Sequence, residues 1–355
     1  MKKLLALVLA GVMAFSLVAC GGGSEDGETA GEEKLNVVLL CTQLGDKSFN
    51  DSADAGLKEM GASGAINYKV IEYGTDNSKV PSYMEEAAYD YDVVVCNNLG
   101  YGEATNWLKE NAASYPDTTF IIYDEPTVTL PENKNVQMVA YKANESDFLA
   151  GALAALISET GKVGFAGGQA SPVIHDFLVG YVEGAKYVNP DVEVFYTDLN
   201  NYTDTNLGKK AGELHISQGV DVLHAVAGSA GNGYLEAAKD GGVYGIGVDS
   251  DQYEAFKEAK PELAKSIVTS SLKNVGKSVS VIINSMIDGT YEWSECMWFG
   301  MPEGCAGIAE NENYLALVSE EDRATMEDIK AKLADGTIKV STAYGMDEAT
   351  LATYK

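Results

Sequence analysis

Acidic, amide and aromatic side chains recur directly after apolar runs along this chain. Asp249 and Asp251 stand in GVDSDQ, just after VYGIGV. A carboxylate has two acceptor oxygens and suits a vicinal diol, although an aspartate in this place can equally cap a following helix. Asn97 and Asn98 follow DVVVC. Their amides can bond the polar edges of a heterocycle, or make the turn that asparagine favours. GDKSFN sets Phe49 at a helix start between Asp46 and Asn50, which can bind or cap. Gly228 follows VLHAVA, where a missing Cβ lets backbone approach a ligand or simply turn.

This is binding chemistry more than catalysis. The chain has no GxSxG elbow, HExxH pair or GxxxxGK[ST] loop. Its three histidines, His175, His215 and His224, are widely spaced. A calcium-dependent nucleoside hydrolase needs several aspartates after one early strand, and CTQLGDKSFND supplies Asp46 and Asp51 on that segment. No enzymatic activity, cofactor or metal is expected. No CxxC or Cys/His cluster occurs, Cys41 and Cys96 lie in strand-like runs as buried thiols, and Cys296 and Cys305 are near enough in sequence to be bridged in an oxidising compartment.

The elements that must position these residues alternate. NVVLLC (36–41), YKVIEY (68–73), DVVVC (92–96), TTFIIY (118–123) and VQMVAY (136–141) read as strands, with helical spacing over 48–60, 80–89 and 104–113 between them. The second half repeats the cycle. Strands are expected at 162–168, 192–197, 220–228, 243–249 and 263–270, and helices at 148–160, 172–188, 206–218, 233–241 and 272–289. Strand–helix alternation implies parallel sheets covered on both faces. So many units exceed one ordinary sheet, so the fold class is α/β with two doubly wound lobes joined by a hinge. In open α/β sheets ligands sit beyond the carboxyl ends of the strands, and two such edges can close on one ligand. The expected division is 35–141 with about 272–295 in the N-terminal lobe, and 142–271 with about 296–355 in the C-terminal lobe.

The N-terminal segment has a different character. Lys2 and Lys3 precede an apolar stretch from Leu4 to Val18, shorter than the roughly 20 residues of a membrane helix. It reads as a signal peptide over 1–19. LVAC ends it at Cys20, and that pattern resembles a bacterial lipobox, in which the cysteine carries lipid. The Gly-, Ser- and Glu-rich stretch that follows reads as a flexible linker over 20–34. The formal net charge is −28. Such acidity opposes nucleic acid and anionic lipid surfaces, so attachment to the cell membrane is expected through the lipid alone.

CTQLGDKSFNDSADAGL (41–57) resembles the basic membrane protein family of bacterial lipoproteins, and the likeness continues through 139–194, 218–252 and 267–279. That resemblance implies a type I periplasmic binding protein fold and a nucleoside, purine above all, bound between the lobes for uptake by ABC permease subunits. It implies that Phe49 stacks on the base, and that Tyr202 in LNNYTDTNLGKK supplies a second aromatic from the opposite lobe. It also implies a sugar clamp in which Asp249 or Asp251 accepts from two hydroxyls while Lys273 donates to one of the same oxygens. Relatives specific for purines carry a TDxGGxDDKSFN-like motif. This chain has the shorter TQLGDKSFN without the early aspartate, so the likeness carries the sugar half of the site further than the base half. The same cleft would serve a membrane-anchored receptor or sensor for a sugar-type ligand without a transport role.

Overall fold

In the computed structural model, residues 34–97, 102–126 and 134–355 are described. Asn98, Cys20, the expected leader and the expected linker up to residue 33 lie outside the described residues.

The chain alternates as its apolar pattern predicts. It runs β1 (Asn36–Cys41), α1 (Phe49–Ala62), β2 (Asn67–Glu72), α2 (Val80–Asp90), β3 (Val93–Asn97), α3 (Glu103–Asn111), β4 (Thr119–Tyr123), β5 (Val136–Tyr141) and α4 (Ala143–Ile157). It continues with β6 (Lys162–Gly167), α5 (Pro172–Val188), β7 (Glu193–Asp198), α6 (Thr205–Ser217), β8 (Val222–Val226), α7 (Gly228–Gly241), β9 (Tyr244–Asp249), α8 (Gln252–Phe256), α9 (Pro261–Ala264) and β10 (Ile267–Lys273). Last come α10 (Val275–Ile287), β11 (Cys296–Phe299), β12 (Ala306–Ile308), α11 (Glu312–Leu317), α12 (Glu320–Ala334) and α13 (Glu348–Leu351).

Among the described residues the strands form two six-stranded sheets, ordered β11-β5-β4-β3-β1-β2 and β12-β10-β9-β8-β6-β7. The pairs are parallel except β10 with β12. Central strands such as β1 and β3 are buried on both faces, whereas the edge strand β2 alternates toward solvent. Each sheet carries an apolar cluster on either face. Leu39, Val95 and Ile121 pack beneath α1 and α10, and Val38, Val94 and Phe120 beneath α2 and α3. In the second lobe Phe165, Leu153 and Phe177 build one cluster, and Leu223, Tyr234 and Ile267 the other.

Local chemistry sets the helix starts. Ser171 accepts from the Ile174 amide ahead of Pro172, Asp204 caps α6, and Ser319 caps α12 with Glu320, Glu321 and Asp322 in its first turn. Asn274 caps α10 through the Lys277 amide, so that helix begins at Val275 and Lys273 is the last residue of a strand. The strand expected over 263–270 accordingly runs 267–273, because Pro261–Ala264 is a helical turn.

The segment after α10 divides between the sheets. Cys296–Phe299 pairs with Met138–Tyr141 in the first sheet, whereas Ala306–Ile308 pairs with β10 in the second. The first lobe therefore takes residues beyond 295. Cys296 and Cys305 are both free, each thiol facing a nearby backbone carbonyl, and no bridge links them. No described helix is long and apolar enough to cross a membrane.

Candidate functional site

The carboxyl ends of the two sheets face a cavity of about 410 Å³. From the first lobe Asp46, Phe49, Asn50 and Asn97 line it. From the second come Tyr202, Gly228, Asp249 and Lys273. Asp251 does not reach this cavity. Its carboxylate accepts from the Glu254 amide as the N-cap of α8, and from the Asn311 side chain. Of the two aspartates in GVDSDQ, Asp249 faces the cleft and Asp251 holds the helix that follows.

Asp249 ends β9 with φ at +63°, a backbone conformation that side chains other than glycine rarely adopt. Asp124 follows β4 with φ at +67°. Two carboxylates thus leave strand ends by the same uncommon turn, one from each lobe. Lys273 lies between them, with Nζ 2.6 Å from Asp124 Oδ2 and 3.4 Å from Asp249 Oδ1. All three are nearly inaccessible to solvent. Burial alone would pull the Lys273 ammonium down, but the two carboxylates outweigh it and its pKa is raised. Burial raises the Asp124 pKa against the opposing charge of Lys273.

The ammonium also lies 4.4 Å from the centroid of the Phe49 ring and 5.1 Å from that of Phe177. Both rings therefore help to hold it through their electron-rich faces. Phe49 packs against Tyr123 at 5.1 Å between centroids, so it belongs to the core of the first lobe and to the cavity wall together.

Two buried acceptors on the cavity wall carry no hydrogen bond, Asn97 Oδ1 and Asp249 Oδ1, the latter facing the Lys273 ammonium at 3.4 Å. The other Asp249 oxygen receives the Ser48 hydroxyl from the first lobe. The Asn97 amide nitrogen is used inside the protein, donating to the Tyr123 hydroxyl at 2.8 Å and to Asn50 Oδ1 at 3.3 Å. An unpaired acceptor in such surroundings costs free energy of about 1–3 kcal/mol, which a ligand donor would recover.

Asp46 is buried and receives the amides of Ser48, Asn50 and Asp51. It therefore organises the start of α1. Burial pushes its pKa up to about 6 despite those donors. Asn50 donates to Thr42 Oγ1 and to the Gln43 carbonyl, tying the same loop. Tyr202 crosses the backbone at Gly168, where an added Cβ would fall 2.0 Å from its ring. Burial pushes its hydroxyl pKa up to about 12. Gly228 opens α7 with φ at +53°, and the Tyr202 carbonyl lies 3.3 Å from where its Cβ would stand.

Two of the three histidines are occupied elsewhere. His224 is buried against Asp147 at 3.0 Å, and His215 bonds the Tyr234 hydroxyl at 2.6 Å. No described group of His, Cys, Asp and Glu is arranged to hold a metal ion. Sequence reasoning missed Asp124, Phe177, Ser48 and Tyr344. Asp124 was within reach of the rule that selected Asp249, since it directly follows TTFIIY. The others carry no comparable local mark.

Two doubly wound lobes over an aromatic and acidic cleft define a binding protein of the periplasmic type. The model of a family described as ABC transporter substrate-binding protein PnrA-like matches residues 34–341, and the chain belongs to that family. The CD4+ T-cell-stimulating antigen of Listeria innocua is 30% identical over 366 residues, covering 96% of this chain and 98% of the relative. Basic membrane protein A of Borreliella afzelii is 30% identical over 311 residues, covering 86% and 90%. Among solved structures, an ABC transporter solute-binding protein from Aeropyrum pernix superposes with a TM-score of 0.77 at 24% identity, covering 90% of this chain and 96% of that one. A Caulobacter myo-inositol binding protein superposes at 0.61 with 14% identity, covering 82% and 98%. The protein is thus an extracytoplasmic substrate-binding component, with a small-molecule ligand and permease partners.

Proposed function

We propose that this protein is a lipid-anchored receptor that captures a nucleoside, purine favoured, and presents it to its ABC permease. One observation carries the reading: the Asp124–Lys273–Asp249 cluster at the wall of a cleft that also offers Phe49, Phe177 and Tyr202. A ribose presents neighbouring hydroxyls that can each donate and accept. Asp249 Oδ1 accepts no hydrogen bond within the protein and faces the Lys273 ammonium at 3.4 Å, so a hydroxyl beside them can donate to the carboxylate and accept from the ammonium. Charge-assisted bonds of this kind contribute roughly 1.5–3 kcal/mol each. The aromatic walls suit the flat base, for which stacking contributes about 1–3 kcal/mol. Asn97 Oδ1 is a free acceptor for a ring or amino N–H.

The cluster spans both lobes, so a ligand that bonds it holds them together and favours the closed form a permease would meet. Cys20 in LVAC is the proposed site of lipid attachment, and the stretch after it the tether.

Calorimetry on the purified domain tests the ligand class, with nucleosides, free bases, pentoses and flavins as probes. Nucleosides should give saturable heat, with free bases and pentoses weaker. Saturable binding of plain sugars with no heat from any nucleoside would end the proposal.

A further inference from the structure

The family match ends at residue 341, but the chain continues into the cleft. Residues 341–344 form a short strap laid against α4 and α5 of the second lobe. The Asn144 side chain donates to the Ser341 carbonyl at 2.9 Å, and the Ser341 amide donates to Glu183 at 2.9 Å. Asp176, buried on α5, receives the Thr342 hydroxyl at 2.6 Å and the Ala343 amide at 2.9 Å through one oxygen. Farther on, the Tyr354 hydroxyl donates to Glu183 at 2.8 Å. Burying a carboxylate is costly unless it is fully bonded, and here one Asp176 oxygen is taken by two consecutive strap positions, Thr342 and Ala343, while the other receives the Asn144 amide.

The strap delivers Tyr344 to the cavity wall. Its ring meets the edge strand of the first lobe, lying 5.3 Å from the Trp298 ring at 78°. Tyr344 shares that wall with Asp124 and Glu125, and the charges of Asp124, Asp176 and Glu125 add to burial in raising its hydroxyl pKa. Asp124 is the residue that grips Lys273.

We infer that Tyr344 is a ligand-selecting residue of this chain, a wall beside the Asp124–Lys273 end that limits what substituents the sugar of a bound nucleoside can carry. This rests on the nucleoside reading for the identity of the ligand, but not for the placement of the wall. The strap is anchored on one lobe and its tyrosine abuts the other, so the wall is in place only where the lobes are close. Removing the ring should open space next to the sugar and leave the acidic surroundings intact. Neutral substituents should then be admitted, while a phosphate should stay excluded by Asp124, Glu125 and Asp249.

The test uses the purified folded chain with Tyr344→Ala and Tyr344→Phe, each checked for native circular dichroism and melting. The probes are adenosine, guanosine and uridine, their 2′-O-methyl and 5′-deoxy-5′-methylthio counterparts, their 5′-monophosphates, and ribose with methyl riboside. Tyr344→Ala should improve binding of a neutral substituted nucleoside relative to its parent by tenfold or more. Tyr344→Phe, which keeps the ring, should behave as wild type in that ratio, and the monophosphates should remain excluded from all three proteins. An unchanged ratio in Tyr344→Ala, with the parents binding, overturns the selecting role and leaves the nucleoside reading standing. If no nucleoside binds wild type but ribose does, the nucleoside reading falls, and the ribose to methyl riboside ratio decides Tyr344 by the same criterion. Binding of neither class to any of the proteins contradicts both.

Discussion

Lys273 Nζ and Asp124 Oδ2 meet at 2.6 Å although 149 positions separate them, Lys273 closing β10 of one sheet and Asp124 directly following β4 of the other. The pair therefore crosses the cleft, and so does the bond from Ser48 to Asp249. Asn232 adds a third crossing by donating to the Asp46 carbonyl at 3.2 Å. Lobe closure and the polar end of the site are built from the same atoms, so changes to the site should be felt in stability as well as in binding.

Asp124→Asn should make this visible. It leaves the buried ammonium with Asp249 as its remaining counter-charge. Breaking a buried ion pair from one side costs roughly 3–5 kcal/mol; the second carboxylate and the retained amide acceptor should hold the loss to about 2–3 kcal/mol. Thermal or denaturant unfolding without ligand reads this. A midpoint equal to wild type would mean that the pair does not form in solution.

Gly168→Ala probes Tyr202 without touching it. The added methyl would stand 2.0 Å from the ring, so the ring must leave its place over the backbone. Ligand affinity should fall by about tenfold, or 1.4 kcal/mol, while the melting temperature moves little because the ring can swing outward. Unchanged affinity would remove Tyr202 from the ligand wall.

Stability should rise on mild acidification. Burial pushes Asp46 and Asp176 up to about 6, against the ordinary value of 3.8. Between those values the folded state binds more protons than the unfolded state. Stability from this source is fully present below about 3.8 and is lost as pH rises through about 6. Melting temperature should therefore increase from pH 7.5 to pH 5, and Asp176→Asn should flatten that slope. A wild-type melting temperature that does not rise over the interval, with Asp176→Asn giving the same profile, would show that these carboxyls titrate as if exposed.

Replacing Cys20 with Ser tests the anchor. The variant should move from the membrane to the soluble extracytoplasmic fraction, and metabolic labelling with a fatty acid should be lost. Retention of label and membrane association together would place the attachment elsewhere.

Much of this was legible in the sequence for identifiable reasons. Strands buried on both faces, such as Asn36–Cys41 and Val93–Asn97, appear as short apolar runs, and amphipathic helices between them define the doubly wound class. Asp249, Asn97 and Gly228 were findable because each lies at a strand's carboxyl end, and Asp124 obeys the same rule. The choice between Asp249 and Asp251 was not legible. It depends on the positive φ at Asp249 and on an N-cap bond at Asp251, both products of the folded turn. Sheet membership of Cys296–Phe299 depends on pairing with β5 from the far side of the sequence, which no local pattern announces. Tyr344 is harder still, for its position follows from what Asp176 holds.

The central claim is that Lys273 and Asp249 grip the hydroxyls of a ribose. Its most direct test is a binding comparison of a ribonucleoside and its 2′,3′-dideoxy counterpart against wild type, Lys273→Met and Asp249→Asn. The dideoxy ligand should bind wild type far more weakly, since it leaves buried polar groups unpaired. Each substitution should weaken the ribonucleoside by about tenfold or more, on the order of 1.4 kcal/mol, and change the dideoxynucleoside much less. Equal losses for both ligands would contradict the clamp, showing that these residues shape the lobes without holding the sugar.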